Sequence, residues 1–222
     1  KLYNNIQLNH KPPYLKEKDE KYIYTIVLDM DETLVHYIST LMSSNFVPSY
    51  AHYVSTENNV NLSLLNIKFN INLNKNDCIR VGMFLLRPYV KTFLNELKNM
   101  YEIILFTAGT KEYCDKIIDI IDLNGDIFKY RLNRNHISLN EKDFNIKDLS
   151  LLGRDLSKVI IVDNNPENYR LQEDNGLPVN SWFGDINDTD LKDLLPILKF
   201  IVRKNVSDGR KVIKKIKLKL NK

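Results

Sequence analysis

The sequence predicts an α/β domain with a mainly parallel central sheet flanked by helices, and three observations support this fold class. Three short apolar runs, rich in β-branched and aromatic residues, each end in small or polar residues: 22–28 (YIYTIVL), 101–106 (YEIILF) and 159–162 (VIIV). Strands buried on both faces of a parallel sheet have this composition. Segments with helical spacing of apolar residues separate the runs. The chain has 222 residues, 43% of them hydrophobic, which suffices for one substantial core.

Two less regular segments flank the first predicted strand in the sequence. Residues 1–21 are polar and contain Lys11-Pro12-Pro13, which disfavours a helix, so we expect an extended lead-in. Residues 39–79 are rich in Asn and interrupt the strand–helix alternation. Apolar residues alternate there at a period of two, at Ile67, Phe69, Ile71 and Leu73. We therefore predict a small β-containing insertion after the first strand.

Three helices are predicted in the remainder of the domain. Pro88 suits a first helical position, and apolar residues follow it at helical spacing, namely Val90, Phe93, Leu94 and Leu97. Residues 113–121 form the second helix. The third is capped within 188–190 and runs to Ile201, so Pro196 must lie in its first turns or kink it.

The chain ends in a basic tail, residues 203–222, that can form an amphipathic helix. Its apolar face holds Val212, Ile213, Ile216 and Leu220. Two interpretations stay open: a solvated helix that packs on the domain, or a contact with a phosphopeptide or a membrane surface. We divide the chain into the lead-in, a domain over 22–202 and this tail.

Composition limits the partners and the compartment. Cys78 and Cys114 are the only cysteines, too few for a disulfide framework, which indicates a reducing, intracellular compartment. The formal charge of +4 is modest, so no direct nucleic-acid contact is expected. No apolar run reaches the roughly 18 residues of a membrane helix. Because the sequence begins at Lys1, we interpret it as a fragment, and membrane contact is expected only through segments outside it or the tail.

Polar residues follow each predicted strand, at the edge where open α/β sheets bind ligands. Asp29 and Asp31 come directly after the first strand, and residues i and i+2 of an extended chain point the same way, about 7 Å apart. Two such carboxylates repel each other, so they need a cation or a shared proton. A hard divalent ion such as Mg²⁺ suits this pair.

Other uses of these acids and cysteines are excluded by spacing. A calcium loop of the EF-hand type starting at Asp29 would need Gly and Glu where Leu34 and Thr40 stand. A cysteine-based phosphatase needs Arg six residues after its Cys. The residues six positions after Cys78 and Cys114 are Phe84 and Ile120.

The stretch VLDMDETLVH (27–36) resembles the DxDxT signature of the haloacid dehalogenase superfamily. The chain more closely resembles the small C-terminal-domain phosphatases, the NLI-interacting-factor-like family. Five further segments match in order: LLRPYVKTFL (85–94), EIILFTAG (102–109), IKDLSLLGRDL (146–156), VIIVDNNPENY (159–169) and NGLPVNSWFGD (175–185). The resemblance covers residues 22 to 200 and implies a haloacid-dehalogenase-like Rossmannoid domain.

The resemblance also implies roles for individual residues. Asp29 would attack phosphorus, and Asp31 would act as general acid and then general base. Thr107 and Lys147 would hold the phosphoryl oxygens. The implied Mg²⁺ set is Asp29, Asp31 (through its backbone carbonyl), Asn164 and Asp163, of which Asp163 could instead restrain Lys147. Thr33, Tyr113 and Arg134 are the implied substrate-binding positions, with Thr33 supporting the nucleophile loop.

The implied function is that of a Mg²⁺-dependent protein serine/threonine phosphatase that forms an aspartyl-phosphate. Its partner would be a phosphorylated Ser/Thr protein or peptide. The phosphorylated repeats of the RNA polymerase II tail are the relatives' best-known substrate, which by resemblance alone suggests the nucleus. Two alternatives stay open: a nuclear-envelope phosphatase of lipid-metabolism regulators, and a non-catalytic binding or translocase module on the same fold.

Overall fold

The computed structural model describes residues 11–43, 65–69, 78–139 and 145–220, and within these ranges it describes the side chains of 11–37, 84–138 and 145–218. The strands are β1 (Tyr24–Leu28), β2 (Val35–Ser43), β3 (Leu65–Phe69), β4 (Cys78–Leu86), β5 (Tyr101–Phe106), β6 (Phe128–Leu132), β7 (Ser138–Leu139), β8 (Asn145–Ile146), β9 (Val159–Asp163) and β10 (Gly176–Pro178). The helices are α1 (Val90–Leu97), α2 (Lys111–Ile121), α3 (Asp190–Arg203) and α4 (Gly209–Leu220).

The central sheet of the described residues has five parallel strands in the order β10-β9-β1-β5-β6. Every residue of β1, β5 and β9 is buried, as their continuous apolar composition predicts. Leu28 at the end of β1 pairs in register with Leu105 of β5 and with Val162 of β9. The carboxyl ends of the three central strands therefore lie side by side, and the predicted mainly parallel α/β fold is confirmed.

The two faces of the sheet are covered differently. Tyr24, Ile26 and Leu28 of β1 belong to the cluster that contains the buried apolar residues of all four helices. Val27 belongs to a second cluster, on the other face. That face is covered by Leu15 of the lead-in and by short 3₁₀ turns, which contribute Leu149, Leu152 and Tyr169. Leu15 of the lead-in is thus part of the core.

A second, antiparallel sheet lies between β1 and α1 in the chain. Its order is β2-β4-β3, and β2 pairs with β4 from Val35↔Leu86 to Ser43↔Cys78. The predicted insertion is therefore anchored by a long two-stranded base that starts before residue 39 and ends beyond 79. The predicted strand around Ile67 and Phe69 is β3, while Ile71 and Leu73 lie outside the described residues.

Two helix starts differ from the prediction. Pro88 is not the first residue of α1: Tyr89 adopts a left-handed conformation (φ 66°) and the helix begins at Val90. Helix α2 begins at Lys111, two residues before the predicted start, because the Thr110 side chain accepts a hydrogen bond from the Tyr113 N–H. The predicted apolar face of α1 is correct.

The third helix and the tail follow the prediction more closely. Helix α3 starts at Asp190 and carries Pro196 in its second turn. In the tail, α4 packs on the domain through three residues of its predicted face: Ile213 is fully buried, and Val212 and Ile216 lie against the same core. The Leu220 side chain lies outside the described residues. Within the described residues, no helix combines the length and the apolar character needed to cross a membrane.

Candidate active site

The register of the sheet brings the predicted site residues to one edge. Asp29 follows β1, and its N–H donates to the Val162 carbonyl oxygen of β9 at 3.0 Å. Asp163 ends β9, and Thr107 follows β5, its N–H donating to the Leu132 carbonyl at 3.0 Å. Three adjacent parallel strands, in the order β9-β1-β5, thus place the carboxylates of Asp163 and Asp29 and the hydroxyl of Thr107 next to one another.

The loop after β1 is folded back tightly on itself. The Leu34 and Val35 N–H groups both donate to the Met30 carbonyl oxygen, at 2.8 and 3.1 Å. Glu32 occupies the left-handed region, at φ 56°, and its N–H donates to the Val35 carbonyl at 2.7 Å. A positive φ at a residue other than glycine is uncommon and costs energy, and such strain is concentrated at functional loops. The turn fixes Asp29 and Asp31 relative to one another.

Lys147 lies between two carboxylates in the interior. Its Nζ is 2.5 Å from Asp29 Oδ1 and 2.6 Å from Asp163 Oδ2, and its side chain has no exposed surface. Lys147 directly follows β8, and its N–H donates to the Asn168 carbonyl oxygen at 2.6 Å. A buried ammonium requires such partners.

This cluster contains one ammonium and two carboxylates, and the imbalance shifts its ionisation. Burial raises the pKa of Asp29 to about 7; the Lys147 ammonium opposes this shift, and the neighbouring Asp163 carboxylate adds to it. Burial by itself would lower the pKa of Lys147, but attraction to Asp29 and Asp163 outweighs it and the pKa is raised. Lys147 is therefore charged at neutral pH, and Asp29 is the carboxyl group whose raised pKa reflects the excess of negative charge in the cluster.

Thr33 lies beneath Asp29 and is fully buried. Its hydroxyl oxygen is 3.0 Å from Asp29 Oδ2 and 3.1 Å from Asn164 Oδ1, and it also accepts the Asn164 N–H at 3.3 Å. The hydroxyl has one proton, so it can donate to only one of the two oxygens at a time. The structure places Thr33 behind Asp29 and not on a surface that a substrate could reach.

Asp31 is partly exposed, and its carboxylate is hydrogen-bonded to residues outside the Lys147 cluster. Tyr113 of α2 donates its hydroxyl to Asp31 Oδ1, and the Thr107 hydroxyl lies 3.4 Å from Asp31 Oδ2. The Thr107 oxygen also accepts the Gly109 N–H at 3.0 Å. Burial raises the pKa of the Asp31 carboxyl, against the hydrogen bond from Tyr113. The two aspartates thus have separate surroundings, which is how paired carboxyl groups take different roles.

Arg134 lies at the rim of the site and is exposed. Its Nε donates to the Ala108 carbonyl oxygen at 2.8 Å, and its backbone N–H donates to the Gly109 carbonyl at 2.9 Å. Arg134 therefore braces the loop after β5 that carries Thr107.

Three further residues contact the predicted site residues. The Asn168 amide donates to both oxygens of Asp163, at 3.0 and 3.2 Å. Ser181 Oγ accepts from the Asn164 amide at 2.9 Å. The buried Arg87 side chain donates to the Thr33 carbonyl at 3.2 Å. The segments 85–94, 159–169 and 175–185, quoted above, contain all three, and that is the signal that could have identified them.

A family model described as NLI interacting factor-like phosphatase matches residues 24–210, which includes every site residue described above. The chain belongs to the NLI interacting factor-like phosphatase family. The resemblance drawn from the sequence motifs is confirmed.

Curated members of the NLI interacting factor-like family show the same similarity. The chain is 37% identical over 189 residues to a probable C-terminal domain small phosphatase of Dictyostelium discoideum, covering 85% of this chain and 53% of that protein. It is 37% identical over 191 residues to the human carboxy-terminal domain RNA polymerase II polypeptide A small phosphatase 1, covering 86% of this chain and 64% of that protein. The chain thus spans roughly half to two thirds of the length of these relatives.

Solved structures confirm the fold. The RNA polymerase II CTD phosphatase Fcp1 of fission yeast, bound to beryllium fluoride, superposes with a TM-score of 0.52 at 20% identity, over 91% of this chain and 56% of that one. A second Fcp1 structure gives a TM-score of 0.53 at 21% identity, over 91% and 55% of the two chains. At this identity the likeness concerns the fold.

Proposed function

We propose that this chain is a Mg²⁺-dependent protein serine/threonine phosphatase that works through an aspartyl-phosphate on Asp29. The observation that carries the proposal is the Lys147 ammonium 2.5 Å from the Asp29 carboxylate, at the edge where β1, β5 and β9 end. Phosphoryl transfer depends on positioning and on neutralising charge, and this edge supplies a carboxylate nucleophile, a fixed cation and a hydroxyl donor.

In the first step, an Asp29 oxygen forms a bond to phosphorus while the bond from phosphorus to the serine or threonine oxygen breaks. Oδ2 faces Thr33 and Asn164, so Oδ1 is the oxygen assigned to the attack. Asp31 gives its proton to the departing oxygen, so the leaving group departs as a neutral hydroxyl. The raised pKa of Asp31 keeps more of this carboxyl protonated near neutral pH.

In the second step, Asp31 accepts a proton from water as the water oxygen bonds to phosphorus. The bond between phosphorus and Asp29 then breaks and phosphate leaves, which restores both carboxyl groups. Throughout, the Lys147 ammonium and the Thr107 hydroxyl stabilise the transferred oxygens. Asp163 and Asn168 hold the lysine in place.

The oxygen ligands expected for Mg²⁺ fit the residues present. Asp29 Oδ2 and Asn164 Oδ1 both turn toward the single hydroxyl proton of Thr33, so one of these two oxygens lacks that donor at any moment. Among the described residues, no group of three or more His, Cys, Asp or Glu side chains could hold a metal. A set built from Asp29, Asn164 and the Asp31 carbonyl would combine one carboxylate with neutral oxygens, as Mg²⁺ accepts. When bound, the ion would neutralise phosphate charge.

Asp163 is proposed to restrain Lys147, one of the two roles implied by the sequence. It is fully buried, and its oxygens accept from Lys147, from the Asn165 N–H at 2.8 Å and from Asn168. These donors occupy the lone pairs that a direct ligand would need.

The mechanism is tested by hydrolysis of p-nitrophenyl phosphate with Mg²⁺, with a chelator, and by Asp29→Asn. We expect turnover only in the unmodified protein with Mg²⁺, and an acid-stable, hydroxylamine-sensitive phosphoenzyme after quenching. Asp126→Asn, which changes an exposed aspartate far along the chain, is the matched control and should retain activity. Turnover that survives both chelation and Asp29→Asn would contradict the mechanism.

The substrate proposal rests on the relatives, several of which are described as RNA polymerase II CTD phosphatases. Phosphoserine and phosphothreonine peptides, including phosphorylated tail repeats, would be compared at equal concentration. Dephosphorylation of the peptides with preference for the repeats supports this substrate. A wild type that binds phosphopeptides without turning over any phosphate would instead favour the non-catalytic module.

A further inference from the structure

Tyr113 makes a contact that a residue serving only to grip a peptide would not need. Its hydroxyl donates to Asp31 Oδ1, the carboxylate assigned above to proton transfer. The other oxygen of Asp31 lies 3.4 Å from the Thr107 hydroxyl. The two oxygens are therefore distinguished: Oδ1 is held by α2, and Oδ2 faces the site.

Gly109 provides the space that this contact requires. A Cβ at Gly109 would lie 2.8 Å from Cδ1 of the Tyr113 ring and 3.3 Å from Thr107 Oγ1. A carbon–carbon distance of 2.8 Å is well inside van der Waals contact, so any side chain at this position would displace the ring. The loop after β5 and the Tyr113 ring thus fit together only with glycine at 109.

The ring of Tyr113 is held from the other side by the base of the antiparallel sheet. The Phe84 ring of β4 lies 5.6 Å from it, and the Tyr37 ring of β2 lies 6.2 Å away, edge to face. Phe84 is fully buried, and the Tyr37 and Phe84 rings are 4.9 Å apart. Aromatic pairs at these separations are favourable, and they restrict the rotation of the ring. The inserted sheet therefore reaches Asp31 through Tyr113.

We propose that Tyr113 is a positioning residue for Asp31: its hydroxyl fixes Oδ1, so that Oδ2 is the oxygen that exchanges the proton with the leaving group. Tyr113 keeps its own proton throughout and only donates a hydrogen bond. This inference rests on the function proposed above. It gives Tyr113 a role in the chemical step, in addition to any contact with a substrate.

The test uses the dependence of the rate on the leaving group. Phenolate is a poor leaving group, so hydrolysis of phenyl phosphate needs a proton from Asp31. The leaving group of 2,4-dinitrophenyl phosphate is a good one and departs without that proton. We expect Tyr113→Phe to lower kcat/KM for phenyl phosphate by about 10-fold to 100-fold and for the dinitrophenyl ester by less than about 2-fold. Tyr101→Phe, which removes a buried hydroxyl bonded to the Leu198 carbonyl at the opposite end of β5, should show no such selectivity.

Gly109→Ala provides an independent variant, because it displaces the Tyr113 ring together with its hydroxyl and does not remove the hydroxyl group. It should reproduce the selective loss on phenyl phosphate. The double variant Gly109→Ala/Tyr113→Phe should lose little more than the worse single variant, since both act through one contact. Equal losses on both esters, or losses confined to KM for phosphopeptides, would overturn the positioning role.

The contact itself is tested without turnover by urea unfolding of Tyr113→Phe in the wild type and in Asp31→Ala. Removal of the hydroxyl should lower the urea midpoint more in the wild type than in the Asp31→Ala background. Equal shifts of the urea midpoint in the two backgrounds would contradict the contact between Tyr113 and Asp31. A wild type inactive on every phosphate, with unequal shifts, would overturn the proposed function and retain the contact. An active wild type whose Tyr113→Phe variant matches it on phenyl phosphate would retain the function and overturn this inference.

Discussion

Lys147 Nζ lies 2.5 Å from Asp29 Oδ1, and the lysine side chain has no exposed surface. The same ammonium is 2.6 Å from Asp163, so one positive charge serves two buried carboxylates. Hydrophobic side chains of similar volume often stabilise a fold as well as a buried ion pair does, because burying charges is costly. A buried cluster of this kind is therefore explained better by the phosphoryl transfer proposed above than by a gain in stability.

Replacement of Lys147 tests this cluster. Lys147→Met should destabilise the protein by about 3–5 kcal/mol at pH 7.5, because it leaves the Asp29 and Asp163 carboxylates buried without their cation. The loss should be smaller at pH 5, where the carboxyl groups can take up protons. Urea unfolding at both pH values measures the effect. Lys91→Met, at an exposed position of α1, is the control and should change stability by less than about 0.5 kcal/mol. Equal losses for Lys147→Met at both pH values would contradict this account of the charge.

The Asp29 carboxyl should make stability depend on pH when metal is absent. Its pKa is raised from 3.8 to about 7, chiefly by burial, so the folded state favours the protonated form. Its contribution to stability is complete below about pH 4 and is lost as the pH rises through about 7. In chelator, Asp29→Asn should match the wild type near pH 4 and become more stable by on the order of 1–4 kcal/mol at pH 7.5.

This pH prediction has a matched control and a metal arm. Asp126→Asn removes an aspartate whose side chain is 50% exposed and should give no pH-dependent gain. Addition of Mg²⁺ should restore stability to the wild type at pH 7.5 and much less to Asp29→Asn. A constant difference between wild type and Asp29→Asn from pH 4 to 7.5 would show that Asp29 ionises without cost.

The sequence predicts the central strands well because burial on both faces leaves a continuous apolar run. The bounds of β5 are those of the run YEIILF, and β9 extends the run VIIV by the single residue Asp163. The start of α1 was wrong for a local reason. Tyr89 takes a positive φ that tyrosine seldom adopts, so nothing in its identity marks the helix boundary.

The site residues at the ends of strands could be predicted from the sequence. Contacts between elements that are distant in the chain could not. Asp29, Thr107 and Asp163 follow apolar runs, so their convergence follows from a parallel sheet. The bond from Tyr113 to Asp31 joins residues 82 positions apart and depends on how α2 packs beside the inserted sheet. Pattern and spacing carry no information on that packing, and only the family resemblance pointed to Tyr113.

Arg87 should be far less replaceable than its charge suggests. Its guanidinium is buried and donates to both oxygens of Asp188 at 2.7 Å, to Asp190 at 3.0 Å and to the Thr33 carbonyl at 3.2 Å. A lysine cannot reproduce this fork, so Arg87→Lys should cost about 1–3 kcal/mol and Arg87→Met about 3–5 kcal/mol in urea unfolding.

The Arg87 variants need a control for the replacement of an arginine that is not buried. Arg203→Lys, at the exposed end of α3, serves this purpose and should change stability by less than about 0.5 kcal/mol. The prediction also includes a coupling: Arg87→Met should cost less when Asp188 is already Asn, since the charge of Asp188 is then no longer left without its arginine. Additive effects of the two substitutions would mean that the ion pair contributes nothing to folding.

Replacement of glycine by alanine should lower the stability of the protein at Gly176 and raise it at Gly209. A Cβ at Gly176 would lie 1.9 Å from the Tyr169 ring, which is buried beside β10, so Gly176→Ala should cost about 1–3 kcal/mol or more. A Cβ at Gly209 would meet its nearest atom, the Ser157 carbonyl oxygen, at 3.6 Å. Gly209 lies in the first turn of α4, so Gly209→Ala should stabilise by about 0.4–1 kcal/mol through the unfolded chain.

Thermal and urea unfolding of the two glycine variants measure the sign of the change in stability for each of them. The double variant Gly176→Ala/Tyr169→Leu should recover part of the loss of Gly176→Ala, because leucine vacates the volume that the new methyl group needs. A double variant no more stable than Gly176→Ala alone would mean that the cost arises in the backbone and not from the Tyr169 ring. A destabilised Gly209→Ala would likewise show that α4 packs against Ser157 too closely for a methyl group, and that the tail is fixed to the domain at its first turn.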